Sequence, residues 1–365
     1  MVKPFNLDKL RKLHNKKHGV KDGFNDPITW IDTGNRALNR MISGDFHKGI
    51  PLGAVTVFAG ESGSAKSYIV SGNLVRNALE QGINVVVLDS EDALKTKWVT
   101  RLGVDPEHPN LVKYVKNTVN EIVEVINDFT NEYRKDYYDT PREEQPKLLF
   151  IVDSLGFVET DTSVEQFDKG ELKGDKGIKA KALKMLVGNC IRLFAGFEIG
   201  LVATNHTYKS QDMYNPDDVI SGGSGFIFAS SIIVSMNKRK LRSEEDDSNK
   251  DKKKTKDIVG ITAAIKCVKT RFSKPYEEVL INIPYSSGMD PYSGLFELFK
   301  NRGILVQNGS WYTYTKKDGE IINLQRKNMD DKFFDMVMND FPSDDDTIKG
   351  FDLTPPVIEE EENNE

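Results

Sequence analysis

The chain has 365 residues, of which 38% are hydrophobic, so it can bury a core in one large domain or in a core with small appendages. Its apolar runs are too short for a membrane helix, and its N-terminus lacks the apolar region of an export signal. Its two cysteines, Cys190 and Cys267, stand far apart, which argues against a disulfide framework or a zinc cluster and favours a reducing, cytoplasmic setting.

The net charge of −6 is unevenly distributed along the chain. Residues 340–365 carry −9, and residues 1–339 therefore carry +3. An acidic tail is usually a solvated, disordered segment, and the alternative is a tail that competes with a polyanion for the basic body. Residues 239–257 are rich in both charges without a periodic apolar face, which predicts a solvated hairpin or a disordered insert.

The remaining pattern predicts an α/β fold. In the polar, basic stretch 1–27, Leu7, Leu10 and Leu13 recur at helical spacing and indicate a short amphipathic helix. Short apolar runs that alternate with helical patterns are typical of buried parallel strands. Strands are predicted at 54–59, 84–89, 147–153, 199–205, 231–236, 261–268 and 278–283, and helices at 66–81, 94–102, 118–133 and 178–196. The later strands lack long helices between them, which predicts an antiparallel extension of the sheet.

The segment GESGSAKS, residues 60–67, follows the strand 54–59 and precedes a helix, as a phosphate-binding loop does. Backbone N–H groups and the helix N-terminus would face the phosphates of a nucleotide, Lys66 would reach the terminal phosphates, and the Ser67 hydroxyl would bind magnesium. Ala65 replaces the last glycine of the motif, which we expect to be tolerated because the first helical position has a helical φ. The alternative is an ordinary Gly/Ser-rich turn. The candidate nucleotide-binding residues here are Gly60, Glu61, Ser62, Gly63, Ser64, Ala65, Lys66 and Ser67.

Two acidic residues follow later apolar strands. Asp153 ends LLFIVD, where a carboxylate can hold a magnesium-bound water, although it could also simply cap the strand end. Glu91 follows the strand that ends at Asp89 and can polarise an attacking water. Because transfer of phosphate to another substrate would need a substrate site instead, Glu91 favours hydrolysis of a nucleoside triphosphate.

Five segments follow one another in the order GESGSAKS, VLDSEDALKTKWVTRLGVDP, FIVDSLG, VATNHTY and GGSGF. In this order the chain resembles the RecA/Rad recombinase superfamily, with most likeness to the UvsX-type bacteriophage recombinases, over residues 30–314. The resemblance implies a RecA-like P-loop ATPase core, with a mostly parallel twisted sheet, an antiparallel extension and helices on both faces. It implies a basic polymerisation arm at 1–27, the core at 28–303 with its charged insert, a small C-terminal subdomain at 304–339 and an acidic disordered tail at 340–365.

The resemblance assigns roles to single residues around the phosphate loop. Lys66 and Ser67 match the phosphate lysine and the magnesium hydroxyl of the family, and Asp153 matches its second magnesium acid. Glu91 matches the glutamate that activates water. The implied ligands are therefore ATP and Mg²⁺.

Three further residues match positions that contact ATP in the family. Trp98 stands where an aromatic side chain stacks on adenine, and the alternative is an ordinary helix residue. Asn205 and His206 match the pair that senses the γ-phosphate, with histidine in the place of the glutamine of RecA. This pair directly precedes residues 207–224, which the resemblance implies to be a DNA-binding loop. A bound γ-phosphate and bound DNA would therefore favour the same conformation of that loop.

Two loops, 160–179 and 207–224, are implied to face the filament axis and hold DNA. Candidate DNA contacts are Lys169, Lys173, Lys176, Lys179 and Lys209 for phosphates, and Met213 and Tyr214 for bases. The alternative is a pair of ordinary flexible surface loops.

Lys269 and Arg271 stand two residues apart on a predicted strand, so their side chains should share one face. The family has two basic residues here that reach the ATP of the neighbouring subunit, and the alternative is a solvated basic edge strand. A head-to-tail contact that does not close into a ring builds a helical filament. Phe5 and Phe24 are candidate anchors of that contact.

The resemblance implies a DNA-dependent ATPase that forms helical filaments on single-stranded DNA and pairs and exchanges strands with homologous double-stranded DNA. Further implied partners are a single-strand-binding protein and a mediator or loader, with no membrane, in the cytoplasm (of the host, if the protein is phage-encoded). Two alternatives stay open, a RecA-fold hexameric helicase and a non-catalytic ATP-binding mediator paralogue. The short stretch before the core disfavours the helicase, and the presence of Glu91 and His206 disfavours the paralogue.

Overall fold

The computed structural model describes residues 7–18, 26–171, 177–209, 219–242 and 257–341. The chain divides into two units, Met1–Leu298 and Phe299–Glu365. Across the described ranges, no helix is long and apolar enough to cross a membrane. The finer boundaries expected at residues 27 and 303 stay predictions.

Strands form the centre of the first unit. In chain order they are β1 Trp30–Ile31, β2 Ile50–Pro51, β3 Val55–Gly60, β4 Asn84–Asp89, β5 Leu111–Val115, β6 Leu148–Asp153, β7 Ile199–Tyr208, β8 Val219–Ile220, β9 Ile232–Arg242, β10 Ile258–Lys269 and β11 Glu278–Pro284. Among the described residues, nine of them form one sheet of order β11-β10-β9-β3-β7-β6-β4-β5, with β8 beside the end of β7. The strands β1 and β2 pair separately.

The directions of these strands confirm the predicted fold class. From β9 through β3, β7, β6 and β4 to β5 each neighbour is parallel, whereas β9, β10 and β11 are antiparallel to one another. The register places Gly60 opposite His206 and Asp89 opposite Asp153. The carboxyl ends of the central parallel strands therefore meet at one edge of the sheet, where ligands bind in open α/β folds.

The first unit contains several helices, some of which pack on one or the other face of this sheet. They are α1 Leu7–His18, α2 Arg36–Ser43, a π-helical segment Tyr68–Leu74 that continues into α3 Val75–Glu80, α4 Thr96–Arg101, α5 Val119–Tyr137, α6 Asp161–Asp168, α7 Ile178–Phe194 and α8 Ser224–Ala229. On one face, α5 and α7 bury apolar side chains against Phe150 and Leu201. On the other face, the π-helical segment and α3 lie against β4, β6 and β7. A capping box, Thr118 with Glu121, fixes the start of α5.

The predicted amphipathic helix near the N-terminus is confirmed as α1. Its three leucines are exposed by 70% at Leu7, 38% at Leu10 and 57% at Leu13. The candidate anchors Phe5 and Phe24 lie outside the described residues. This helix therefore presents an apolar stripe that the described part of the chain does not cover.

The second unit contains a small antiparallel sheet. Helix α9, Leu295–Asn301, crosses the unit boundary and is followed by β12 Leu305–Asn308, β13 Trp311–Thr315, β14 Ile321–Gln325 and α10 Asp331–Asp340. The three strands pair in the order β12-β13-β14, and all neighbours are antiparallel. Tyr314 is buried edge-on against Phe333, with ring centroids 5.8 Å apart, and its hydroxyl donates to Asp340.

Candidate functional site

The phosphate loop lies between β3 and the π-helical segment, at the carboxyl edge of the sheet. Lys66 Nζ donates to the carbonyl oxygens of Gly60 and Glu61, at 2.9 Å each. Burial lowers the pKa of Lys66, while the negative charges of Asp153, Glu91 and Glu61 act in the opposite direction. The loop thus holds a buried cation whose present acceptors are neutral carbonyls.

Ala65 contradicts the expectation of a helical φ at this position. Its φ is +71°, close to the +74° of Gly63, so the backbone is left-handed at both residues. A Cβ in this region crowds the following carbonyl oxygen and costs about 1–2 kcal/mol, which the usual glycine avoids. The loop therefore keeps the shape of the motif despite the alanine, with local strain as the consequence.

Ser67 and Asp153, the predicted magnesium ligands, lie next to each other. Ser67 Oγ donates to Asp153 Oδ1 at 3.2 Å. Ser71 Oγ donates to Asp153 Oδ2 at 2.6 Å, and Thr204 Oγ1 donates to Asp153 Oδ1. These three hydrogen bonds fix the orientation of the carboxylate. Ser71 and Thr204 were missed at the sequence level, because each looks like an ordinary small polar residue within an apolar element.

Glu91 and His206 also meet at this edge. Ser154 Oγ donates to Glu91 Oε1 at 2.7 Å, and His206 Nε2 lies 3.6 Å from the same oxygen. The His206 ring packs edge-on against Phe157, with centroids 5.3 Å apart. Its Nε2 atom is buried and has no hydrogen-bond partner in the part of the chain that the structure describes. An imidazole nitrogen is therefore available at the site to a ligand.

Asp89 stabilises the turn that carries Glu91. Its side chain is fully buried and accepts hydrogen bonds from the backbone N–H groups of Ala93 at 3.2 Å and Leu94 at 3.0 Å. Lys113 Nζ lies 2.8 Å from Asp89 Oδ2. These contacts fix the turn after β4, and so the position of Glu91.

Asn205 connects the site to the second predicted DNA loop. Its Oδ1 accepts from the backbone N–H of His206 at 2.8 Å, and its Nδ2 donates to the carbonyl oxygen of Ser221 at 2.7 Å. Ser221 follows β8, which pairs with the end of β7. The predicted sensor pair is thus bonded directly to the base of that loop.

A cleft of about 840 Å³ opens beside the phosphate loop. Lys66 and Ser67 line one part of it, and Trp98 lines another, as expected for a residue that stacks on a base. Tyr285, which is 71% exposed and follows β11, also lines the cleft and was missed in the sequence. The glycine- and serine-rich YSSG directly after the last predicted strand was the available signal.

The residues present fit a magnesium-bound nucleoside triphosphate. Two buried polar atoms at the site, Ser64 Oγ and His206 Nε2, have no hydrogen-bond partner in the described ranges. Both atoms are therefore available to a ligand. Lys66 supplies a cation, and Ser67 with Asp153 supplies hydroxyl and carboxylate oxygens. Mg²⁺ is typically bound by one or two carboxylates together with substrate phosphates and waters.

Comparison with known proteins agrees with this geometry, although no family model matches the chain. The chain is 25% identical to the recombination and repair protein of Enterobacteria phage T4 over 295 residues, which cover 79% of this chain and 69% of that protein. It is 24% identical to protein RecA of Streptomyces coelicolor over 296 residues, which cover 80% and 70%. It is 25% identical to the mitochondrial DNA repair protein recA homolog of Dictyostelium discoideum over 275 residues, which cover 73% and 53%.

The chain is therefore similar to RecA-type recombinases. Lys269 and Arg271 do not share a strand face as expected, because β10 ends at Lys269 and Arg271 lies in the bend that follows. Lys269 Nζ donates to the carbonyl oxygen of Phe228 at 2.6 Å, at the end of α8. Burial lowers the pKa of Lys269, and the positive charge of Arg271 adds to that effect. Neither residue lines the cleft beside the phosphate loop of its own chain.

The described parts of the two predicted DNA loops are more structured than expected. Residues 161–168 of the first loop form α6, since Thr160 caps a helix there. In the second loop, 207–208 and 219–220 form paired strands, and α8 begins at Ser224.

The candidate DNA lysines differ in their surroundings. Lys169 directly follows α6 and is exposed, and its Nζ lies 4.0 Å from Glu165 Oε2. Lys209 directly follows β7 and is also exposed. Lys179, on α7, donates from Nζ to the carbonyl oxygen of Gly156 at 2.8 Å. The other candidates, Lys173, Lys176, Met213 and Tyr214, lie outside the described residues.

Proposed function

We propose that this protein is a DNA-dependent ATPase that assembles into a helical filament on single-stranded DNA and exchanges strands with a homologous duplex. The family gives it a role in recombination and repair. The observation that carries the ATPase part is the convergence of the phosphate loop, Asp153, Glu91 and His206 at one edge of the sheet.

The residues at this edge divide the chemistry of hydrolysis among them. Lys66 exchanges its carbonyl acceptors for terminal phosphate oxygens, and Ser67 and Asp153 hold Mg²⁺. When bound, Mg²⁺ neutralises part of the charge on the phosphates. Glu91, held by Ser154, accepts a proton from the attacking water and orients it.

Trp98 and Tyr285 support a base-binding role for the cleft. Both aromatic side chains line the same cleft as the phosphate loop, from α4 and from the segment after β11. Aromatic faces bind nucleobases by stacking, with about 1–3 kcal/mol per base. The adenine therefore lies against these rings while the phosphates occupy the loop.

His206 and Asn205 couple the nucleotide to DNA. The free Nε2 of His206 donates to the γ-phosphate, and the Asn205–Ser221 hydrogen bond carries the resulting shift to the base of the second loop. The coupling is reciprocal, so DNA raises the affinity for ATP by the factor by which ATP raises the affinity for DNA. Replacing His206 with Ala removes the ATP dependence of DNA affinity, and an unchanged dependence contradicts this coupling.

The filament explains the two basic residues at the far end of β10. Lys269 pairs with Ile233 of β9. Three residues further along β9, Met236 lies opposite Gly60 of the phosphate loop. Lys269 and Arg271 therefore lie away from the phosphate loop of their own chain, and Lys269 exchanges the Phe228 carbonyl for the ATP of a neighbouring subunit. The exposed leucine stripe of α1 supplies apolar surface for the same head-to-tail contact.

DNA is bound along the two loops, through Lys169, Lys173, Lys176, Lys179, Lys209, Met213 and Tyr214. Lys179 leaves the carbonyl oxygen of Gly156 when it binds a DNA phosphate. A single-strand-binding protein and a mediator or loader are the further partners. Binding by the lysines makes the affinity fall with salt, because each phosphate contact releases counterions.

ATP turnover with and without single-stranded DNA tests this function. We expect stimulation by the DNA, and a fall in kcat of about 100-fold or more in Glu91→Gln, since a general base contributes 10²–10⁴-fold. Nucleotide binding should persist in this variant. Glu124→Gln, at an exposed position of α5, is the matched control and should behave as the wild type. Absence of turnover under both conditions would instead identify a non-catalytic paralogue.

A further inference from the structure

The strand β9 continues beyond the phosphate loop. The last pair between β3 and β9 is Gly60 with Met236, and β9 runs on to Arg242 alongside β10. Lys238 is the second residue past that pair. Side chains two residues apart on a strand point to the same face, so Lys238 follows the direction of Met236 at the level of the loop.

Lys238 holds the phosphate loop through both its backbone and its side chain. Its backbone N–H donates to Glu61 Oε1 at 3.1 Å. Its Nζ donates to the carbonyl oxygen of Ser62. A Cβ built on Gly63 would lie 3.1 Å from Lys238 Nζ, so the ammonium group rests against the loop at a residue that has no side chain.

The loop therefore faces two ammonium groups. Lys66 lies within it and is buried, whereas Lys238 lies outside it and is exposed. The two ammonium groups carry like charges and repel each other across the loop. Burial is the main cause that lowers the pKa of Lys66, and the charge of Lys238 acts in the same direction. A polyanion in the loop relieves this repulsion.

The present acceptor of Lys238 is weaker than a phosphate oxygen. A carbonyl oxygen is neutral, whereas a phosphate oxygen carries negative charge and adds a charge–charge attraction to the hydrogen bond from the ammonium group. Because Lys238 is already exposed, its side chain can change acceptors without further desolvation. Glu61 meanwhile holds the backbone in place.

We propose that Lys238 is a second phosphate-contacting residue of the nucleotide site, which exchanges the Ser62 carbonyl for an oxygen of the polyphosphate chain. The proposal rests on the function proposed above and adds a residue to its substrate site. It also places the end of β9, which leads into the charged segment 243–256, in contact with the bound nucleotide.

Equilibrium binding to two magnesium complexes tests the proposal, one of a non-hydrolysable ATP analogue and one of inorganic pyrophosphate. We expect Lys238→Gln to weaken both by about tenfold, the loss of one charge-assisted hydrogen bond. Lys238→Arg should restore most of the affinity. Arg239→Gln removes the same charge from the opposite face of the strand and should leave both affinities unchanged.

Three outcomes would overturn the proposal. Wild-type affinity in Lys238→Gln would show that the ammonium group does not contact phosphate. An equal loss in Arg239→Gln would reduce the effect to general charge, and a loss for the analogue without a loss for pyrophosphate would place Lys238 away from the phosphates. Failure of the wild-type protein to bind either ligand would contradict the proposed function itself.

Discussion

Ala65 occupies a left-handed position that the phosphate loop requires and that alanine adopts poorly. The motif explains why the position exists, because the backbone N–H groups must turn toward one point in front of the helix. The residue type explains the strain. The sequence predicts a helical φ for Ala65, because the motif alone does not distinguish the first residue of the helix from the last residue of the turn.

Replacing Ala65 with Gly should raise the free energy of unfolding of the nucleotide-free protein by about 0.5–1 kcal/mol. The left-handed strain of about 1–2 kcal/mol is removed, while the greater freedom of glycine in the unfolded chain offsets part of the gain. Urea unfolding measures the change. Ala180→Gly in α7 is the control and should lower stability by about 1 kcal/mol. A loss of stability in Ala65→Gly would contradict the positive φ.

The two cysteines should be inert in the native protein. Burial raises the pKa of Cys190 and of Cys267 to about 12 each, so at pH 8 almost no thiolate is present. A chromogenic disulfide reagent at pH 8 should therefore modify neither thiol before unfolding and both thiols in guanidinium chloride. Rapid modification of the native protein would show that one of these thiols is accessible.

At this scale the sequence predicts some site residues and misses others for a definite reason. Lys66, Ser67 and Asp153 follow from a motif and from strand ends, and parallel strands bring such ends together. Tyr285 and Lys238 come from distant antiparallel strands. Their approach depends on the register of β9, β10 and β11, which no local pattern specifies.

Among the elements, the turn after β6 determines where β7 can place its histidine. A Cβ built on Gly156 would lie 2.4 Å from His206 Cδ2 and 3.3 Å from Asn205 Oδ1. This turn therefore requires glycine because of close approach, although its φ is ordinary for any residue.

Gly156→Ala should displace the His206 ring and lower DNA-stimulated turnover by about 10- to 100-fold, as expected for a displacement of roughly 1 Å near the reacting groups. The affinity for nucleotide should change by less, because the phosphate loop is untouched. Steady-state kinetics with and without single-stranded DNA measure the effect. Gly188→Ala in α7 adds a Cβ with no atom within 4 Å and serves as the control. Equal activity in both variants would contradict a role for His206.

The elements themselves were predicted with uneven success. The strands predicted from the continuous apolar runs of β4 and β6 are confirmed, because strands that are buried on both faces need such runs. The edge strand β5 was missed, since LVKYV mixes polar and apolar residues. Helix α6 was missed because its composition is typical of a loop. The N-cap hydrogen bond from the Ser163 N–H to Thr160 forms only once the following residues are helical.

Over the whole molecule, the sheet separates two functions. The carboxyl ends of its parallel strands form the proposed nucleotide site, while the antiparallel extension carries Lys269 near the opposite end of β9 and β10. The alternation of strands and helices predicts the parallel part and its extension. The strand order does not follow from the sequence, because every crossover between parallel strands is compatible with the same local pattern.

This separation is what a head-to-tail filament needs. A residue that serves a neighbour's nucleotide cannot lie at its own site, and an interface that repeats without closing generates a helix of subunits. Under the proposed function, hydrolysis would depend on assembly, and assembly on the DNA that organises the subunits. The exposed leucines of α1 provide further surface for the contact.

Electron cryomicroscopy of the protein with single-stranded DNA, Mg²⁺ and a non-hydrolysable ATP analogue tests the central claim most directly. We expect helical filaments in which Lys66 of one subunit and Lys269 and Arg271 of the next approach the same nucleotide, with DNA along the axis. Closed rings, monomers, or a nucleotide that faces open solvent far from Lys269 and Arg271 would contradict the account.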